Sequence, residues 1–216
     1  MKGMLMGKSL REKYALAGLY ESNLDDNPII QFQVWLEQVK REEIELPNAM
    51  TLATATTDGL PSARMVILRE ANDDGFVFYT DLTSQKGQEL ASNPHAALVF
   101  DWKELDRQVR VTGPVHQVSQ AKLEAYFYNR PINRQIIDLI AKQSQVVPNR
   151  KFLEKTYQDL LIEYKKKELL APPHWGGFRV YPNMIEFWQG RLNQISDRLR
   201  YTRKSADNWC IERLSP

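Results

Sequence analysis

Between Met50 and Val118 five extended runs follow one another with a single short helical stretch among them, an order that alternating strand–helix–strand folds cannot accommodate. The runs are Met50–Thr57, Ser62–Arg69, Phe76–Thr80, His95–Trp102 and Arg107–Val118. Extended runs this closely spaced pair with their sequence neighbours. Asp58-Gly59 turns the first two into a β-hairpin, and Asn72-Asp73-Asp74-Gly75 turns the chain into the third, where β-branched and aromatic residues cluster. The expected architecture is mainly antiparallel β with helices, closed as a barrel rather than a doubly wound sheet. A small barrel with a mixed apolar and polar outer face must shield its edges, which favours a dimer.

Helices flank this core. Asn27-Pro28 supplies a cap and a first-turn proline, and Ile29, Phe32, Leu36 and Val39 then share one face of a helix near 28–43. Thr83 or Ser84 caps a short helix through Leu90, ended by Asn93-Pro94. Three helical stretches follow the fifth run, at Ser119–Asn129, about 133–142 and Asn149–Lys167. Strands return at Gly177–Tyr181, Met184–Gln189, Asp197–Arg203 and Asn208–Arg213. The chain thus divides into an arm over 1–27 and one domain over 28–216, with a helical insert at about 119–167 and C-terminal strands within 175–216.

Composition narrows the functional classes. With 29 Lys+Arg against 27 Asp+Glu, the net charge of +2 gives no general attraction to a polyanion, so no nucleic acid partner is expected. The single cysteine, Cys210, excludes an intrachain disulfide and fits a reducing cytoplasm. No apolar run approaches the roughly 18 residues of a membrane span, and Met1–Lys8 lacks a signal-peptide core, so no membrane partner and a cytoplasmic location are expected. Glycine-rich phosphate loops and His-Glu-x-x-His are missing, and His95, His116 and His174 stand in unrelated contexts, so no metal site is expected. The pairs Asp25-Asp26, Glu42-Glu43 and Asp73-Asp74 suit caps and turns, and Lys165-Lys166-Lys167 suits a solvated helix end.

One segment carries more information. Arg64-Met65-Val66-Ile67-Leu68-Arg69 places a cation at each end of an apolar strand, and alternation sends the two to opposite faces unless a bulge intervenes. Both are either edge charges or, with Lys86 in the first turn of the short helix, part of a phosphate site.

Several blocks in one order resemble the pyridoxine 5′-phosphate oxidase family. They are Ser62–Leu68, Phe78-Tyr79-Thr80, Ser84-Gln85-Lys86-Gly87, Arg107–Gly113, Lys142-Gln143-Ser144, His174–Val180 and Ile185–Gly190, within a likeness running from about Leu10 to Pro216. The resemblance implies an FMN-binding split β-barrel homodimer, with FMN at the subunit interface and both chains contributing to each site. It implies a cofactor set of Arg64, Met65, Val66, Ile67, Leu68, Arg69, Tyr79, Thr80, Gln85, Lys86, Gln108, Gln143, Ser144, Trp188 and Arg198. Arg64 and Lys86 would face the FMN phosphate, and cations there suit a dianion. The substrate phosphate would meet Arg69, Tyr126, Arg130 and Arg134, and Arg11 and Tyr14 would belong to an N-terminal lid over the substrate.

This chain departs from the pattern. Arg69 stands for lysine, Arg134 for serine and Gln85 for arginine. At the two positions where the family places a catalytic arginine and histidine before Asp-Arg, this chain has Gln194 and Ser196 around Ile195. The implied activity is FMN-dependent oxidation of pyridoxine or pyridoxamine 5′-phosphate by oxygen in vitamin B6 metabolism, with impaired turnover. The alternatives are a flavin oxidase for another substrate and an FMN or pyridoxal phosphate binding protein with little turnover.

Overall fold

The structure is a computed structural model that describes residues 9–140, 142–164, 167, 169–205 and 208–216; Met1–Lys8, Lys165 and Lys166 lie outside the described residues. Its strands are Ala49–Ala55 (β1), Pro61–Ile67 (β2), Glu70–Asn72 (β3), Gly75–Asp81 (β4), His95–Trp102 (β5), Arg107–Gln117 (β6), Trp175–Val180 (β7), Met184–Gln189 (β8), Asp197–Ser205 (β9) and Asn208–Arg213 (β10). The helices are Leu10–Ala17 (α1), Pro28–Arg41 (α2), Gln85–Ser92 (α3), Gln120–Tyr128 (α4), Ile132–Ile140 (α5) and Arg150–Glu163 (α6).

Every strand pairing is antiparallel, in the order β10-β9-β8-β6-β5-β1-β2, while β4 pairs with β3 and β7, and β7 returns to β6. β6 is the hinge of this arrangement. Its first half lies between β5 and β8, and beyond Gly113-Pro114 it turns to pair with β7. A side chain at Gly113 would collide with the Tyr181 carbonyl oxygen at 1.8 Å, so glycine permits the corner. The curled sheet is open between β2 and β4, which share no ladder.

Alternation decides what fills the barrel. Met50 and Leu52 of β1, Leu98 and Phe100 of β5, and Val109 and Val111 of β6 point inward and are fully buried. The expected face of α2 closes one end. Phe32 meets Phe76 and Phe100 with ring centroids 4.9 and 4.7 Å apart, and Trp35 meets Phe187 at 5.1 Å. A second apolar cluster, of Leu123, Phe127, Ile136, Leu169 and Trp175, seats the helical insert beside β4 and β7.

The structure corrects several boundaries. β3 and α1 are additional to the elements that the sequence pattern predicts. α1 begins at a Ser9–Glu12 capping box but buries only Tyr14 and Ala15, so it shows no apolar stripe. α6 ends at Glu163, where the Tyr164 amide caps it by donating to Leu160 O, short of the expected Lys167, and Lys165 and Lys166 lie outside the described residues. α5 ends at Ile140, before the expected 142, because the Gln143 amide is drawn to Asp81 Oδ2 at 3.0 Å. No described helix is long and apolar enough to cross a membrane.

Candidate active site

The opening between β2 and β4 leads into a cavity of about 250 Å³ lined by Arg64, Met65, Val66, Ile67, Arg69, Tyr79, Thr80, Lys86, Tyr126, Arg130, Gln143 and Trp175. Arg64 and Arg69 both face it, which overturns strict alternation. β2 ends at Ile67; the Leu68 amide donates to Asn48 O at 2.9 Å and the Arg69 amide to Val77 O at 2.8 Å. The link leaves the β2 ladder there, Leu68 turns into the core, and Arg69 swings back to the side of Arg64.

One end of the cavity is a cation pair. Lys86, held in the first turn of α3 behind the Ser84 cap, donates to Gln143 Oε1 at 2.8 Å, Thr80 Oγ1 at 3.2 Å and Ser84 Oγ at 3.3 Å. These partners are all neutral. Burial, and then the Arg64 charge, hold the Lys86 ammonium below its ordinary pKa. Arg64 donates to Thr54 Oγ1 and Ser62 Oγ, each at 2.5 Å, and its Nη2 lies 3.4 Å from Glu89 Oε2. Glu89 is buried on α3. Burial works to raise its carboxyl, but hydrogen bonds from Ser62, Thr54 and Gln85, with the Arg64 charge, outweigh that and lower it. A half-buried lysine with neutral partners beside a buttressed arginine at a helix N-terminus is chemically suited to an anionic group. The Gln85 side chain donates to Glu89 Oε1 at 2.9 Å, and its backbone N–H donates to Ser144 Oγ at 3.2 Å, which ties the 142–144 turn to the same end.

The opposite end is a second cationic group. Tyr126 stacks on Tyr79 with centroids 3.8 Å apart, and the Arg69 and Arg130 guanidinium carbons lie 5.6 and 5.2 Å from the Tyr126 ring centre. Burial raises both phenols, that of Tyr79 to about 12. Arg130 is ion-paired to Asp138, and Arg134 is exposed on α5 within electrostatic reach of Tyr126 and Asp138. Trp175 completes this wall; its only signal in the sequence is its place inside the His174–Val180 block.

The remaining expected residues lie elsewhere in the same chain. Gln108, Trp188 and Arg198 stand directly opposite one another on β6, β8 and β9, three to five strand spacings from β2, or about 14–24 Å along the sheet. Arg198 Nε donates to the buried Glu186 at 2.9 Å and its Nη1 to Ser215 O at 2.9 Å. Gln194 and Ser196 lie in the β8–β9 loop, with Gln194 exposed at φ 62°. Arg191 of that loop is committed to the arm: it reaches Ala15 O at 3.1 Å, Tyr20 Oη at 2.8 Å and Asp197 at 3.3 Å. Arg11 pairs with Asp106 at 3.1 Å, and Tyr14 donates to Glu42 at 2.9 Å while covering Arg107. The arm therefore packs near the start of β6, and neither Arg11 nor Tyr14 lines the cavity.

An antiparallel split barrel with a cation-lined cavity in its opening defines a class of barrel proteins suited to anionic ligands. Comparison with known proteins narrows the class. Residues 36–162 match the family described as pyridoxamine 5′-phosphate oxidase, and residues 175–216 match the pyridoxine 5′-phosphate oxidase C-terminal dimerisation region. A pyridoxine/pyridoxamine 5′-phosphate oxidase of Nostoc sp. is 50% identical over 207 residues, covering 96% of this chain and 97% of that protein. One from Salinibacter ruber is 48% identical over 209 residues, covering 96% and 97%. Among solved structures, PhzG from Burkholderia lata 383, in complex with tetrahydrophenazine-1-carboxylic acid, superposes with a TM-score of 0.86 at 28% identity, covering 92% of this chain and 98% of that one. The chain belongs to the pyridoxine/pyridoxamine 5′-phosphate oxidase family of oxidoreductases.

Proposed function

We propose that this protein oxidises pyridoxine or pyridoxamine 5′-phosphate to pyridoxal 5′-phosphate, using FMN as cofactor and dioxygen as acceptor, at two equivalent sites of a homodimer. The observation that carries this reading is the presence of two separate cation groups in one cavity, Arg64 with Lys86 and Arg69 with Arg130, which suits two phosphates. FMN, when bound, would accept the two electrons that take the substrate's C4′ alcohol to the aldehyde, or its C4′ amine to an imine that water then hydrolyses to the aldehyde with release of ammonia.

The chain's residues fit that cofactor. Lys86 and Arg64 hold its phosphate, while Thr80, Gln143 and Ser144 offer hydroxyl and amide groups to its polar edges. A cavity of about 250 Å³ takes only part of a flavin and a substrate, and the Gln108–Trp188–Arg198 row is too far along the sheet to complete it from within one chain. A second copy, docked through the region that matches the family's dimerisation segment, supplies that row. The open edge strand β2, with Met65 exposed on it and Leu60 exposed just before it, supports the same assembly.

At the other end Arg69, Tyr126, Arg130 and Arg134 anchor the substrate phosphate and orient C4′. Gln194 and Ser196 cannot supply the positive charge or the proton transfer of an arginine and a histidine, so turnover is slow although binding is intact. The test is anaerobic stopped-flow mixing of the FMN-loaded protein with pyridoxine 5′-phosphate and with unphosphorylated pyridoxine. Bleaching of the flavin band by the phosphate ester alone is expected. Bleaching by neither, with FMN retained, overturns the reading in favour of a binding protein.

A further inference from the structure

Asp138 is an acid inside a cluster of cations that the proposed reaction does not use. It is 4% exposed on α5, outside the cavity lining and joined to it through Arg130, and among the described residues Arg130 alone donates to its carboxylate. The same Arg130 faces the cavity beside Tyr126 and Trp175. Other charged or titratable groups surround the pair. Arg69 approaches from the β2–β3 link, Tyr126 from α4 and Arg134 from one turn earlier on α5, and His174, ahead of β7, sets Nε2 3.3 Å from the Asp138 carbonyl oxygen. Arg130 thus serves two anions, one built into the chain and one that arrives.

Resting on the functional reading above, we propose that Asp138 is the internal counter-ion of the substrate-phosphate site, and that a phosphorylated ligand, by taking Arg130, drives a solvent proton onto the Asp138 carboxyl. A carboxylate this buried stays ionised only while its donor remains, because removing one partner of a buried ion pair leaves an uncompensated charge. Protonation is the inexpensive response. The atoms balance simply: the phosphate displaces the carboxylate from Arg130, and one proton passes from buffer to an Asp138 oxygen. The ion pair is already poised for this, since burial raises the Asp138 carboxyl to about 6 against the lowering by Arg130, Arg69 and Arg134. At pH 7.5 the group is therefore mostly ionised before binding and protonated after it. Affinity for the phosphate ester should tighten as pH falls from 8 toward 7, by up to about tenfold for one proton.

The experiment is calorimetric titration of the FMN-loaded protein with 4′-deoxypyridoxine 5′-phosphate, which lacks the oxidisable group, at pH 7.5 in buffers of differing ionisation enthalpy. Uptake of nearly one proton per site is expected, falling to about a fifth or less in Asp138→Asn, which retains His174 and every cation. Equal uptake in the two proteins, or none in the unaltered one, overturns the proposal while leaving the functional reading in place. If the ligand does not bind at all, the two fall together. If Asp138→Asn does not fold, the affinity of the unaltered protein at pH 7 and pH 8 decides: the pH-dependent tightening supports the proposal, and an unchanged affinity refutes it.

Discussion

Replacing Lys86 with methionine tests the cofactor end of the site at one atom. The substitution keeps most of the side chain's length and removes the charge. All three ammonium hydrogens already have acceptors in Gln143, Thr80 and Ser84, at 2.8, 3.2 and 3.3 Å. A phosphate therefore exchanges for one of these bonds rather than adding to them, and the net gain belongs in the lower half of the range for a charged hydrogen bond, about 1.5–2 kcal/mol. That corresponds to roughly a 10–30-fold loss of FMN affinity. Riboflavin has no phosphate, so its affinity should change by less than about threefold. Titration of flavin fluorescence quenching with both ligands, on both proteins, reads the four constants. Equal losses for FMN and riboflavin would refute the reasoning and reduce Lys86 to a scaffold for the 142–144 turn. Equal affinity of the unaltered protein for the two ligands would do the same for the whole phosphate assignment.

The paired change Gln194→Arg with Ser196→His should raise the anaerobic rate of flavin reduction by about 10²-fold or more while moving the affinity for substrate far less; no gain in rate means the missing pair is not limiting. Arg191→Ala removes the contacts to the Ala15 carbonyl and Tyr20 that hold the arm, so limited proteolysis around residues 9–20 should quicken with FMN affinity unchanged. Weaker FMN binding in that variant would show that the arm supports the cofactor site.

The barrel was legible because its strands obey local rules. β1, β5 and β6 alternate inward and outward residues, and Asp58-Gly59 marks the hairpin between β1 and β2. Alternation alone does not bring Arg69 to the side of Arg64, because the irregularity it needs is not local: Asn48, twenty residues upstream, captures the Leu68 amide and takes the chain out of its ladder. α1 was invisible for a similar reason, being fastened by Arg191, Asp106 and Glu42 rather than by an apolar stripe. The cavity draws on positions from Arg64 to Trp175, and no spacing rule joins them. Resemblance to a family located most of that set, yet it assigned no role to Trp175 or Asp138, whose relevance depends on what packs beside them.

The distance between the cation-lined cavity and the Gln108–Trp188–Arg198 row has a genetic consequence. If each working site borrows its row from the other subunit, lesions in the two halves are not equivalent to lesions in one protein. A chain defective only at Lys86 and a chain defective only at Arg198, made in the same cell, form mixed dimers in which one site collects both defects and the other collects neither. Two alleles that each fail alone would then restore one another, whereas two alleles broken in the same half would not.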